Sequence, residues 1–516
     1  AAAAAAAPPR MGGAVGWTIL GTLVPGMGLW RSGRRITGSL IMAVTVLLVV
    51  GLAGVALTQR QEVVALAANS EVLRWTALAL LVLALLWVIL IGTTHLALRP
   101  AGATTGQRLA GAAVVGGLSF LVAAPLAFSA NVAYSASSLV RTVFTPDDDN
   151  KSETLPTITN KVDPWAEKDR LNVLILGGDS GTGRSEKLSM RADTVIVASI
   201  DTHTGATTLF SIPRQTARMP FPDDSKLSDY FPNGWYDGRD PLNPDYWLNA
   251  MYRFAPTFVP KDVLGDTKFL PEDIMKVSVG EALGLDIDYF VNVNLDGFKD
   301  IINALGGVTL NVNSPLPIGG DKDRNIPPKE WIEPGPDQHL SGRLAMWYAR
   351  GRWGYDDYSR MSRQRCVINA VAQQANPQNV LLNFEKLAAA GEKTVTSDIP
   401  QSMLPAMLEL ANRVQGTKLR SIVFINGKDG FSTANPNWSG VAKRVKTALK
   451  ETARSNPESA SPTATASPEG TGSASATPTK GSAKPTKSSK PKSDDLSNEC
   501  GYNPTDYIPV GYTPKR

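Results

Sequence analysis

Three apolar runs in the first quarter of the chain constrain its fold more than any other feature. They are Gly38 to Leu57, Trp75 to Leu98 and roughly Leu109 to Tyr134. Crossing about 30 Å of hydrocarbon takes about 20 helical residues, and each run meets that length. A fourth stretch, Gly13 to Trp30, is shorter and carries "LVPGMGLW" at its centre, so a re-entrant or interfacial hairpin and a fourth span both stay open. A cleaved signal peptide has a single short apolar region, which excludes that reading. Orientation follows from arginine: Arg31, Arg34 and Arg35 precede the first sure span, and Arg99 and Arg108 lie between the second and third. With both clusters in the cytoplasm the third span runs outward. The chain is therefore expected to be a multi-pass cell-membrane protein whose residues after about Arg141 are extracytoplasmic.

Composition shifts along the 516 residues, so the net charge of +5 says little by itself. Residues 1–141 read as the membrane anchor, 142–165 as a polar, Pro-containing linker, and 166–452 as a catalytic domain of ordinary globular composition, large enough for a packed core. Residues 453–499 are rich in Ser, Thr, Pro, Ala and Lys. They lack the apolar area to fold and are expected to be disordered. The lysines near the end of that tail fit a solvated spacer better than a site for anionic wall polymer. Aromatic residues return in 500–516, which marks an expected docked terminus. The only cysteines are Cys366 and Cys500, both on the outer side where a disulfide persists. Their pairing would hold the terminal peptide against the segment around Cys366. The alternative is a buried thiol at Cys366 with Cys500 free. The three histidines, His95, His203 and His339, are too scattered for a zinc motif.

In the outer part, "LNVLILGGD", "TVIVASID" and "ATTLFSIPR" read as three strands, with "TGA" as a hairpin between the last two. "DIDYFVNVNLDGFKDIINALGGVTLNV" gives strand, helix and strand. Helices are expected from Ser341, Tyr358, Val380 and Gln401, and "KLRSIVFI" is a late strand. The fold class is α/β: a mixed central sheet flanked by helices in an αβα layering, preceded by transmembrane helices and followed by the disordered tail. "GGDSGTG" (177–183) contains the "GDSG" of a serine protease around Ser180. It opens an α/β domain with no matching His and Asp, so protease chemistry is excluded. A Walker lysine and dinucleotide spacing are absent as well.

Charged residues end each of the first three strands: Asp179 the first, Arg191 and Asp193 before the second, and Arg214 after the third. If the strands are neighbours, these groups meet at one sheet edge, where α/β folds place ligands. "YARGRWGYDDYSRMSRQRC" (348–366) adds five arginines and no lysine. Arg360, Arg363 and Gln364 recur at spacings that share one helix face. Guanidinium offers a fixed fork of donors that grips phosphate bidentately, and nearby Asp residues suit a diphosphate sharing its charge with a divalent cation. Nucleic acid fails as the partner, because the domain is expected outside the cell and Asp356 and Asp357 interrupt the cluster.

The ordered series "LNVLILGGD", "MRADTVIVASID", "TLFSIPR", "NAMY", "GLDIDYFVNVNLDGFKDIINALGGVTLNV" and "HLSGRLAMWYARGRW…DDYSRMSRQR" resembles the LytR–CpsA–Psr family, in particular its multi-span actinobacterial members, over about Asn172 to Ala370. The resemblance implies a transferase that moves a glycopolymer from a polyprenyl-diphosphate-linked glycan to peptidoglycan or a surface protein. It implies Asp179 and Asp193 as ligands of Mg2+ or another divalent cation. Arg191, Arg214, Arg350 and Arg352 look like the diphosphate-gripping arginines, completed by Asp357, Arg360, Arg363 and Gln364, with Asp179 or Asp193 as proton acceptor. Two departures stand out: Gln215 replaces the acid that usually follows "SIPR", and the family's lysine before "NAAY" is missing, the nearest being Lys226. The aromatic stretch 221–247 reads as loop packing ahead of a sugar platform. A lipid-diphosphate pyrophosphatase and a regulatory or scaffolding wall protein are the competing functions.

Overall fold

The computed structural model describes residues 11–58, 69–147, 149–158, 163–178, 191–240, 242–322, 324–374, 395–455 and 494–514. They form two compact units. The first holds residues up to 147 together with 400–405, and the second the remainder.

In the first unit, helices α1 (Met11–Leu23) and α2 (Met27–Arg31) are separated by Val24, Pro25 and Gly26. Proline cannot continue a helix, and Gly26 takes a left-handed φ of +96°. The fourth apolar segment is thus a broken helical pair and not one continuous span. Helices α3 (Arg35–Thr58), α4 (Ser70–Leu98) and α5 (Thr105–Val143) follow. Three stretches, Arg35–Val55, Ser70–Leu98 and Thr105–Arg141, are long and apolar enough to cross a membrane. Their outer faces expose Leu47, Leu85 and Leu121, a surface that suits hydrocarbon and not water. Asn69 caps α4 by accepting from the Glu71 and Val72 N–H groups, and Thr104 with Gln107 forms a capping box on α5. The loop at 400–405 joins this unit through Gln401, whose side chain accepts from the Ser70 hydroxyl at 3.0 Å.

The second unit is built on strands β1 (Arg170–Gly178), β2 (Ala192–Asp201), β3 (Thr207–Ser211), β4 (Tyr289–Val293), β5 (Val308–Val312), β6 (Gly335–Leu340), β7 (Val395–Ser397), β8 (Arg420–Val423) and β9 (Asp494–Asp495). Its helices are α6 (Leu248–Phe254), α7 (Leu270–Leu283), α8 (Leu295–Ala304), α9 (Gly342–Arg350), α10 (Asp357–Gln374), α11 (Leu404–Gln415), α12 (Trp438–Ser455) and α13 (Leu496–Glu499). Seven strands form one mixed sheet in the order β7-β4-β1-β2-β3-β8-β9. The β1/β4 and β3/β8 pairs are parallel, and the others antiparallel.

Strand side chains alternate between faces, and the two faces have different partners. Leu174, Leu176, Val195, Val197 and Phe210 pack with α6, α7 and α12. Ile175, Ile196, Ala198 and Leu209 lie on the opposite face with Ile368 and Ala372 of α10 and Leu496 of α13. The layering is αβα, because both faces of these strands are apolar and buried. Strand β5 leaves the main sheet and pairs with β6 over a smaller core that includes Ile302, Tyr348 and Cys366. The hairpin between β2 and β3 turns at Gly205, φ +76°, where an added Cβ would lie 2.4 Å from the Arg413 backbone. The aromatic stretch closes on itself: Trp235 is buried, with ring centroids 5.4 Å from Phe231 and 5.0 Å from Tyr246.

The helix expected from Val380 and the body of the tail, 456–493, lie outside the described residues. The tail's expected limit at 499 needs correction, because residues 494–499 are ordered. Strand β9 pairs with β8, and Leu496 is fully buried, which contributes about 1.5–3 kcal/mol and offsets part of the ordering cost. Cys366 and Cys500 form a disulfide across 134 positions of sequence. From there residues 501–514 run over the domain as a strap. The Asn311 and Asn313 side chains donate to the Cys500 and Gly501 carbonyls, and the Trp353 indole donates to the Val510 carbonyl at 2.9 Å. Chain-entropy arguments give about 4.7 kcal/mol for a 100-residue loop. The tail expected to stay unfolded lies in the same loop and is confined in the native state too, so Cys500→Ser should lower the unfolding free energy by about 1–3 kcal/mol. The shift in chemical-denaturation midpoint under non-reducing conditions measures it, and an unshifted midpoint would remove the strap from the stability of the domain.

Candidate functional site

The site grows from an irregularity between β1 and β2. Gly177 pairs with Thr194 but Gly178 pairs with Ala192, so Asp193 has no residue opposite it. Such a bulge re-aims the side chain at the end of a strand. Gly177 is required there, because an added Cβ would meet the Thr194 side chain at 2.7 Å. Beside the bulge, β3 ends in "SIPR" and delivers Arg214 to the same edge. The N-terminus of α10 brings Asp357 and, one turn later, Arg360.

These four side chains form a closed set of ion pairs. Arg214 Nη1 lies 2.8 Å from Asp193 Oδ1, and its Nε 3.4 Å from Asp357 Oδ1. Arg360 Nη2 lies 3.0 Å from Asp357 Oδ1 and donates to the Asp193 carbonyl at 3.2 Å. Arg360 is 3% exposed and Asp193 28%. Burial pushes the Asp193 carboxyl up, but Arg214 and Arg360 together outweigh it and hold the group below the usual carboxylate range. Burial pulls Arg360 down, opposed by Asp357 and reinforced by the charges of Arg214 and Arg352. Arg352 therefore lies within electrostatic reach of the set.

The other expected residues divide. Gln364 lines a small cavity with Asp193, Arg214 and Arg360. Arg350 ends α9 with its guanidinium 5.6 Å from the Trp347 ring centroid, and both Arg350 and Arg352 are half-buried. Arg191 pairs with Asp245 of the aromatic loop at 3.2 Å. Arg363 is buried. Its Nε donates to the Tyr348 carbonyl at 2.6 Å, its Nη2 donates to the Gly351 carbonyl, and its guanidinium carbon sits 5.2 Å from the Tyr355 ring centroid. It ties α10 to the loop carrying Arg352, which is a positioning role. Its pKa, lowered by burial to about 10, leaves it charged at neutral pH. Asp179 and Ser180 lie outside the described residues. Lys226 pairs with Glu153 at 2.5 Å on an exposed surface, and Gln215 is exposed, so neither departure from the family pattern is made good by these side chains.

Asn249 was not singled out as a site residue. It is buried, its N–H donates to the Arg214 carbonyl at 3.0 Å, and its side-chain amide lies 3.4 Å from Asp193 Oδ1. The motif "NAMY" was the signal that held it. Among the described residues no group of three His, Cys, Asp or Glu is placed to hold a metal ion. A single carboxylate still suits magnesium, which is held by one or two carboxylates plus substrate phosphates. Asp193 Oδ2 fits that description, since Arg360 Nη1 is 3.9 Å away, beyond hydrogen-bond distance.

Because the folded pKa of Asp193 is depressed, its stabilising effect is present above the ordinary carboxylate pKa, near 3.9, and disappears as pH falls through the lower folded value. Denaturation of wild type and Asp193→Asn should therefore differ in midpoint above about pH 5, and the gap should narrow as pH falls below the ordinary carboxylate value. A constant gap across that range would mean that the carboxylate charge is not what Arg214 and Arg360 hold.

The chain matches the LytR_cpsA_psr family over residues 132–454. It is 27% identical over 235 residues to the polyisoprenyl-teichoic acid–peptidoglycan teichoic acid transferase TagU of Enterococcus faecalis, covering 45% of this chain and 62% of that protein. It is 25% identical over 263 residues to biofilm regulatory protein A of Streptococcus mutans, covering 50% and 57%. The chain thus spans less than two thirds of the length of either relative. Among solved structures, protein gbs0355 of Streptococcus agalactiae aligns with TM-score 0.40 and 23% identity, over 55% of this chain and 88% of that one. The family match takes in strands β1 to β8, the bulge at Asp193 and the arginine-bearing helices alike: the chain belongs to the LytR–CpsA–Psr family.

Proposed function

We propose that the chain is a phosphotransferase that moves a glycopolymer from a polyprenyl-diphosphate carrier to peptidoglycan, or to a surface protein, at the outer face of the cell membrane. The observation that carries this reading is the sheet edge where Asp193, Arg214, Asp357 and Arg360 meet, in a chain of this family. The printed name of TagU gives that relative a polyisoprenyl-linked donor and a peptidoglycan acceptor. The three long apolar helices support anchoring by several spans, and the placement of Arg31, Arg34, Arg35, Arg99 and Arg108 supports an outward catalytic unit.

In the reaction an acceptor hydroxyl attacks the phosphorus that bears the glycan. A new P–O bond forms, the bridging P–O bond breaks, and polyprenyl phosphate leaves with the bond's electron pair. Arg214 and Arg360 are fixed by their aspartates, and Arg350 and Arg352 add positive charge from the neighbouring loop. Together they stabilise charge on the equatorial and leaving oxygens. Magnesium, held by Asp193 with Asp179 as its expected partner, would supply further neutralisation of the diphosphate. The hydroxyl proton passes to a carboxylate. Asp193, with its lowered proton affinity, is a weak acceptor, and a loose phosphoryl-transfer transition state tolerates this because little proton removal is needed early. The pyrophosphatase alternative uses the same groups with water as acceptor.

Arg350→Ala and Arg352→Ala should each reduce transfer by about 30- to 1000-fold, the equivalent of roughly 2–4 kcal/mol for a charge-assisted contact in a partly dry site. Lysine at either position should rescue poorly, because an ammonium lacks the planar fork. Glycan attachment to wall material, measured by mass spectrometry in strains carrying each variant, reads this directly, and normal attachment would sink the assignment. Thorough chelation of the purified protein should stop turnover of a lipid diphosphate, whereas unchanged turnover would remove the divalent cation from the reading.

A further inference from the structure

A groove of about 670 Å³ runs along the strap on the flank of the arginine site. One wall is the first two turns of α10, with Tyr358, Ser359 and Ser362, and the other is the strap, with Thr505 and Tyr507. Its size falls within the range of small-ligand pockets. At its edge lies Asp356, the residue before Asp357, so the groove reaches the Asp193 set within one residue of chain.

The lining chemistry excludes a second anion. Asp356 and Glu499 border the groove. Its arginine, Arg363, is buried and donates to the Tyr348 and Gly351 carbonyls, and no lysine lines it. What remains is neutral and polar. Among the described residues the hydroxyls of Ser362 and Thr505 have no protein partner, and the Tyr355 and Tyr507 rings meet edge to face at 5.3 Å, leaving Tyr507 46% exposed. The Ser362 and Thr505 hydroxyls beside the exposed Tyr507 ring match a ligand that alternates hydroxyls with C–H faces.

We propose that this groove binds an uncharged saccharide chain and aligns it with the arginine cluster. The sugar belongs either to the glycan being moved or to the glycan strand that receives it, and the groove reads the uncharged sugar rings of either. Its consequence for catalysis rests on the transferase reading, but the binding does not. The disulfide-held strap supplies one wall, so the groove exists only while the terminal peptide is docked.

The test uses the full chain in detergent and a saturation-transfer NMR titration with two probes. One is a β-1,4-linked N-acetylglucosamine tetramer, standing for an acceptor strand, and the other a linear galactose tetramer, standing for a neutral donor glycopolymer. Ser362→Trp fills the groove and Tyr507→Ala removes a ring from its exposed wall. The expected result is binding of at least one tetramer, weakened about tenfold or more in both variants, a change of about 1.4 kcal/mol. Binding of inorganic pyrophosphate stays unchanged in Ser362→Trp, which reports an intact arginine site. The probe that binds identifies the source of the sugar. No binding by either probe overturns the proposal, as does equal binding by wild type and Tyr507→Ala. Tetramer binding in a protein that transfers no glycan would leave the groove standing and remove the transferase reading instead.

Discussion

The structure of the second unit depends on one closed set of charges, Asp193, Arg214, Asp357 and Arg360. It joins three separate pieces of chain: the bulge at the start of β2, the exit of β3 and the first turn of α10. Arg360 is almost wholly buried, and removing one partner of such a pair strands a charge at a cost of about 3–5 kcal/mol. The set therefore fixes where α10 begins and how it is rotated. From that register Arg363 reaches the carbonyls of Tyr348 and Gly351, and Cys366 takes up the strap. A single electrostatic constraint at the sheet edge thus orders the loop that follows α9 and carries Arg352.

The same constraint explains the choice of arginine. Burial lowers the proton affinity of both Arg360 and Arg363, yet guanidinium begins so far above neutrality that it stays charged. A lysine in either place would approach neutralisation and would present a point charge where two or three directed donors are needed. The quartet is neutral in sum, two guanidiniums against two carboxylates. On the proposed reading, attraction for a diphosphate then comes from arginines outside it, Arg350 at the end of α9 and Arg352 just beyond.

Much of this was legible in the sequence. Apolar runs bounded by glycines and turns gave β1, β2 and β3 and the helix-flanked sheet, and of the charged residues expected at the strand ends Asp193 and Arg214 do meet at one edge. Spacing alone placed Arg360, Arg363 and Gln364 on one helix face without saying what that face meets. Arg360, Arg363 and Arg365 are buried against Asp357, two carbonyls and Glu499. Helical periodicity shows that residues share a face, but whether a face meets solvent or protein is a tertiary fact. The bulge at Asp193 was invisible for a similar reason, because register is a property of two strands. The ordering of residues 494–499 turned on Leu496, one apolar residue in a polar context whose pocket is built by β2, β3 and Leu419.

The strap shows how a remote terminus can stiffen the loop that follows α9. Loop-closure entropy grows only logarithmically, about 0.6 kcal/mol for each doubling of length, so a separation of 134 residues is little harder to close than a much shorter one. Burial of Leu496, the Arg365–Glu499 ion pair and the amides of Asn311 and Asn313 then offset the cost of ordering the terminal peptide. Its far end touches the arginine loop directly. The Trp353 indole donates to the Val510 carbonyl, and the Tyr507 hydroxyl donates to the Gly354 carbonyl. Arg363 holds that loop from the inside while the strap holds it from the outside. Donors fixed in this way need no reorganisation when charge develops on a substrate, which is the physical return for tying a distant cysteine to the helix that starts at Asp357.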